Sequence, residues 1–156
     1  MLNRIVDGVT WAVRLFMWLG FAAMIATVAL QVVARNILQT SFIWTGDVAQ
    51  LLFAWLIFIG AAVGLRVGAH YRVDMIPDGR PAMQRAAEII ALAAGACVAL
   101  ILLIYGWQLA QVRASADVQS LGISRFWMFA PMPASGALML LYLAEMVIAP
   151  REGIRP

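Results

Sequence analysis

The sequence predicts an all-α membrane protein with four transmembrane helices, a weakly amphipathic N-terminal extension and both termini in the cytoplasm. Three observations carry this reading. Of 156 residues, 64% are hydrophobic and 12% charged, where a soluble domain is about half apolar and about a quarter charged. The apolar residues gather into four runs long enough, or nearly so, to cross a bilayer. The eleven cationic residues are all arginine, and they collect at the ends of those runs. In a soluble chain a net charge of +3 would raise nucleic acid as a partner. Here the arginines report membrane orientation, and no nucleic-acid partner is expected. The length suits one small membrane bundle over residues 1–156, with no second domain.

The first span is 15–34, 20 uncharged residues and about 30 Å as a helix. Ahead of it, Arg4, Asp7 and Arg14 mix with Ile5, Val6, Val9, Trp11 and Val13, a pattern that can lie in the interface as the start of the same helix. A signal peptide is the competing reading. The run exceeds a usual signal core and has no small-x-small cleavage site near its end, so it reads as a retained span. Arg35, Asn36 and residues 39–41 form a polar connection.

The second span, 48–65, has no charge in 18 residues, about 27 Å of helix. Polar residues bracket it at fixed places: Trp44, Thr45 and Asp47 before, Arg66, His70, Arg72 and Asp74 after. Thr45 is suited to N-cap the helix, with Asp47 in its first turn facing the positive end of the helix dipole. Asp47 thus carries two readings, a helix-end charge and a partner contact. Gly68, Pro77, Asp78 and Gly79 mark a turn, with His70 in the loop.

A third helix is predicted from Pro81 to about Ala114, with Pro81 in its first turn. Only 89–107 is apolar enough for lipid, so the helix tilts or its ends project. Arg85 and Glu88 are spaced to pair at its inner end. Residues 108–124 are the most polar stretch, and Ser124 can cap the short apolar segment at 125–130. Pro131 and Pro133 interrupt a continuous helix, so the fourth span is set at 133–149, about 25 Å. That is short, which leaves the preceding segment to supply an interfacial or partly re-entrant turn.

With four spans both termini share a side. Arg4, Arg14, Arg66, Arg72, Arg80, Arg85, Arg151 and Arg155 fall there, against Arg35, Arg113 and Arg125 opposite. Eight against three puts the termini in the cytoplasm of a cell with an inner membrane. Trp44, Trp107 and Trp127 then fall near the outer interface and Trp11 near the inner one, where tryptophan is favoured. Trp55 falls mid-membrane and reads as a packing residue.

Residue chemistry offers no catalytic, substrate-binding or metal site and no cofactor. The one histidine, His70, cannot supply the paired axial ligands of a haem bundle. Cys97 stands alone, so there is no cysteine pair for thiol chemistry. The carboxylates Asp47, Glu88 and Glu145 lie near helix ends rather than at a mid-membrane proton site, and Glu145 is placed to pair with Arg151. No span shows a paired charge or a broken helix lined with polar groups, the features from which secondary transporters build their binding sites. Small residues at 60–62 and 93–96 permit close helix approach, within this chain or with a partner.

The bracketed second span resembles the small membrane subunit, the Q subunit, of tripartite ATP-independent periplasmic (TRAP) transporters. The matching residues are Trp44, Asp47, Trp55, the segment 58–62 (FIGAA), Arg66, Gly68, His70 and Asp74; a second match is 120–124 (SLGIS) followed by Pro133. With 33–36 closing the first helix, the resemblance covers nearly the whole chain. Asp47 departs from the glutamate usual in that family. The resemblance implies no enzyme, and a scaffold subunit in the lipid of the inner membrane. It would stand beside a large membrane subunit that moves the substrate with sodium, served by a periplasmic binding protein that delivers a small organic acid. Trp44, Asp47, Trp55, Arg66, His70 and Asp74 are then expected to be structural or to meet the partner subunit. From the residues alone, an autonomous four-helix transporter or an assembly factor is the alternative.

Overall fold

A computed structural model describes residues 2–71 and 81–148. Among the described residues there are five helices: α1 (Leu2–Asn36), α2 (Ile43–Tyr71), α3 (Pro81–Arg113), the single turn α4 (Phe126–Phe129) and α5 (Pro131–Ile148). Between α3 and α4, strands β1 (Asp117–Val118) and β2 (Ile123–Ser124) make a small antiparallel hairpin, with Asp117 opposite Ser124 and Val118 opposite Ile123. Four segments of the described residues are long and apolar enough to cross a membrane: Val6–Asn36, Ile43–Val67, Ile89–Arg113 and Phe126–Ile148.

The amphipathic N-terminal residues belong to α1 itself, and Val6 and Thr10, one turn apart, are its buried face there. α1 closes through Ile37 N–H to the Val33 carbonyl (2.9 Å) and Thr40 N–H to the Ala34 carbonyl (3.0 Å), around Gln39 at φ 54°. That left-handed residue after a helix satisfies carbonyls the helix leaves open.

Two helix starts differ from the sequence reading. α2 begins at Ile43, so Thr45 is not its cap. The Thr45 hydroxyl donates to the Phe42 carbonyl (2.7 Å), and Asp47 is past the first turn, away from the exposed N–H groups. α2 also continues through Gly68 and His70 to Tyr71, where a turn and loop were expected; glycine is tolerated inside a helix at about 1 kcal/mol. α5 begins at Pro131 rather than Pro133. Both prolines sit in its first turn, where a missing N–H is no loss, and Ala130 keeps right-handed helical backbone between α4 and α5. The fourth span therefore gains α4 at its end. The 72–80 connection, Arg72 and Asp74 with it, and the residues after 148 lie outside the described residues, as do the side chains of His70, Arg85 and Glu88.

The helices form a row rather than a closed bundle: α1 packs on α2, α2 on α5 and α5 on α3, with lighter contact between α1 and α5. α5 is the centre. In its span 44% of positions are buried, against 6–11% in the other three. The core is Val6, Ala62, Ala99, Met139, Tyr142 and Leu143. α3 and α5 approach most closely at two glycines. A Cβ on Gly136 would stand 2.7 Å from the Ala99 carbonyl oxygen and the Leu103 nitrogen; one on Gly106 would stand 2.8 Å from Met132 Cβ. Of the small-residue runs picked out in sequence, Gly60 faces Met17, and Gly95 faces Leu143 and Leu65, all inside this chain. Ala61, Ala93 and Ala94 are exposed.

Candidate functional site

Where the start of α1 meets the end of α5, Arg66 ties three helices together. Its Nε and NH2 donate to both carboxylate oxygens of Glu145 on α5, at 2.9 and 2.8 Å. NH2 also donates to Asp7 (3.0 Å) and NH1 to Thr10 Oγ1 (2.6 Å), both on α1. The Thr10 and Tyr142 hydroxyls are 3.1 Å apart and hydrogen-bonded, and the Tyr142 ring lies 5.2 Å beneath the guanidinium. Side-chain exposure is 12% for Arg66 and 6% for Glu145, but 54% for Asp7. The Glu145 pair is thus the desolvated one, with the two-pronged geometry that makes arginine hard to replace. Asp7 at the water-exposed rim adds little, about 0–1 kcal/mol.

This arrangement corrects one sequence reading. No span was expected to carry a paired charge, yet Arg66 and Glu145 join two spans across 79 positions of sequence. The expected partner of Glu145, Arg151, lies outside the described residues; among the described residues Glu145 pairs with Arg66. Arg66 was singled out as structural or a subunit contact, without Glu145 as its partner. The available signal was the presence of opposite charges at the same end of two spans.

The opposite end of the helices is built from the first turns of α2, the hairpin and α4. Ser120, in the hairpin loop, donates to the Asp47 carboxylate. The loop is shaped by Gly122 at φ 63° and by the Leu121 and Gly122 N–H groups, which both reach the Val118 carbonyl (3.0 and 2.9 Å). Ser124 does bond the start of α4, accepting the Phe126 N–H at 3.1 Å. So the two sequence motifs, Asp47 in α2 and 120–124, meet in space. Around them an open cleft of about 540 Å³ is lined by Ile43, Gln50, Arg125, Met128 and Phe129 among others. Trp107, Phe126 and Trp127 form an edge-to-face chain beside it, and Trp44 stands 40% exposed at the same end.

Trp55 has a more definite role than packing. Its indole N–H donates to the Trp127 carbonyl at 3.1 Å, and its ring meets Phe16 edge-on. The helical partner of the Trp127 carbonyl would be the N–H four residues on, which is Pro131 and has none. Within lipid such a carbonyl must find a donor in the protein, and Trp55 supplies it. Trp55→Phe is expected to lower stability by about 1–2 kcal/mol. Adding Pro131→Ala, which restores a backbone N–H, should recover part of the loss. Thermal unfolding in detergent reads both; an unchanged midpoint in Trp55→Phe would show the carbonyl to be satisfied otherwise.

Residues 24–152 match the family described as tripartite ATP-independent periplasmic transporters, DctQ component. The chain belongs to this family. It is 27% identical over 127 residues to the sialic acid TRAP transporter small permease protein SiaQ of Vibrio cholerae, covering 81% of this chain and 73% of that protein. It is 32% identical over 113 residues to the C4-dicarboxylate TRAP transporter small permease protein DctQ of Pseudomonas aeruginosa, covering 67% of this chain and 53% of the relative. It also matches the sialic acid TRAP transporter permease protein SiaT of Haemophilus influenzae, 28% identical over 127 residues, which is 79% of this chain but 21% of that much longer protein. TRAP small permeases are inner-membrane transport components, not enzymes. For this small permease the structure places the motif residues along α2: Trp44, Asp47 and Trp55 toward the hairpin and α4, Arg66 in the three-helix tie, and His70 in the last turn.

Proposed function

We propose that this chain is the non-catalytic scaffold subunit of a TRAP transporter that imports a small organic acid with sodium, beside a large membrane subunit and a periplasmic binding protein. The observation that supports this best is the helix row. In three of its four spans only about one position in ten is fully buried within the chain, which leaves much of its intramembrane surface to lipid or another membrane protein. Its two polar centres lie at opposite ends and hold its own parts together: Arg66 binds α1, α2 and α5, and Asp47 binds the hairpin. The relatives named for sialic acid and C4-dicarboxylates carry the substrate class, since both are organic acids. SiaT supports a permease partner, because the matched part is about a fifth of its length.

The test is uptake of labelled organic acid into proteoliposomes under an inward sodium gradient, with each component left out in turn. Omitting this chain is expected to abolish uptake or reduce it strongly. Full uptake without it, or uptake by this chain alone, would overturn the scaffold role.

The arginine count supports cytoplasmic termini. In a Cys97→Ala background, cysteines placed at Gln39 and Gln119 are expected to react with an impermeant thiol reagent in intact spheroplasts, and one at Gly79 only after lysis. Labelling of position 79 in intact spheroplasts would reverse the orientation.

A further inference from the structure

Between Thr45 and Arg66 the exposed positions of α2 are Gly46, Gln50, Phe53, Ile57, Ala61 and Gly64. Spacings of three and four put them on one helix face, about five turns long. Two openings flank this face. The cleft of about 540 Å³ holds Asp47 and Gln50 at one end. At the other, a groove of about 410 Å³ between α2 and α3 is lined by Ala61, Leu65, Ala94 and Gly95 over Met139. We propose that this α2 face, from Asp47 to Gly64, seats a transmembrane helix of the large permease subunit, which fills the inner groove with an apolar side chain and meets Asp47 with a basic or hydrogen-bonding one. This rests on the scaffold reading above and assigns it a surface.

Three observations select a protein helix over lipid. A Cβ built on Gly46 or Gly64 meets nothing within 4 Å, so no packing in this chain calls for glycine there. Against alanine, a glycine inside a helix costs about 1 kcal/mol. Acyl chains give no return for that cost, whereas a second backbone approaching closely does. By contrast, the outward side chains of α1 include Trp11, Leu15, Trp18 and Phe21, bulky groups suited to lipid. Second, the Asp47 carboxylate receives only the Ser120 hydroxyl among the described residues, and Arg125 in the same cleft has no ion-pair partner among them. Both are left with capacity for complementary groups, which acyl chains do not offer. Third, in SiaT the counterpart of this chain shares one polypeptide with the rest of a permease, so a membrane partner is at hand in the family.

The experiment uses both subunits co-expressed in membranes. Gly64→Leu is expected to leave insertion and yield of this chain unchanged, since a Cβ there meets nothing within it, and to cut co-purification of the large subunit at least tenfold. A photoreactive residue at Ile57 should give adducts with the large subunit several-fold above the same residue at Phe21 on α1. Unchanged co-purification with Gly64→Leu, or adducts at Phe21 equal to or above those at Ile57, would overturn the assignment. If the unaltered chain itself fails to co-purify, the scaffold reading falls rather than the choice of face.

Discussion

Replacing Arg66 by alanine is expected to destabilise the folded chain by about 3–5 kcal/mol, the cost of removing one partner of a buried ion pair. Glu145, on the central helix and 6% exposed, would lose both guanidinium hydrogen bonds. Thr10 would lose a donor and the Tyr142 ring its cation. Much of the cost is the carboxylate left in a medium that solvates it poorly, rather than the attraction itself. This separates two variants. Arg66→Met with Glu145→Leu removes both charges and keeps apolar volume, and should recover most of the loss. Arg66→Lys keeps the charge but cannot reach both oxygens in the same plane, and should fall between. Thermal unfolding of the detergent-solubilised chain orders the four proteins. An alanine variant within about 1 kcal/mol of the unaltered chain would place the pair in water, at the strength of a surface salt bridge.

The same pair shows what the sequence could and could not convey. Hydropathy located all four spans because backbone in lipid must close its hydrogen bonds within a helix, and a helix needs about 20 apolar residues to cross. Arg66 and Glu145 were each visible as a charge at the end of a run. Their meeting depends on α5 lying between α2 and α3, and hydropathy carries no such order, because lipid-facing and protein-facing side chains are equally apolar. The helix-end reading of Asp47 fails for a related reason. N-cap logic is local, and Thr45 with Asp47 fits it; the hairpin that brings Ser120 to Asp47 is a contact across 73 positions. Pro131 and Pro133 were legible as a break, but the Trp127 carbonyl exposed by Pro131 finds its donor in Trp55, on another helix. The family motif drew attention to Trp55 and Asp47 without giving their partners.

Closest helix approach was the least legible feature, and it sets the second large effect. The sequence points to runs of small residues at 60–62 and 93–96, yet the tightest contact falls on the isolated Gly136 and Gly106. A Cβ at Gly136 would press on the backbone of Ala99 and Leu103, which cannot rotate away as a side chain would. α3 must therefore move off α5 along the best-packed contact of the row. Gly136→Val is expected to cost about 3 kcal/mol, the upper part of the usual range for overpacking. Gly136→Ala should cost less, since alanine regains about 1 kcal/mol of helix propensity. Gly64→Val is the matched control: it puts the same side chain at a glycine with open space around it. In the isolated chain it should be neutral or nearly so, because the gain over glycine in propensity is small and nothing is displaced. Unfolding midpoints of the two valine variants in the same detergent give the comparison. If Gly136→Val unfolds at the temperature of Gly64→Val, then α3 and α5 do not meet backbone to backbone at Gly136, and the central place of α5 in the row would have to be redrawn.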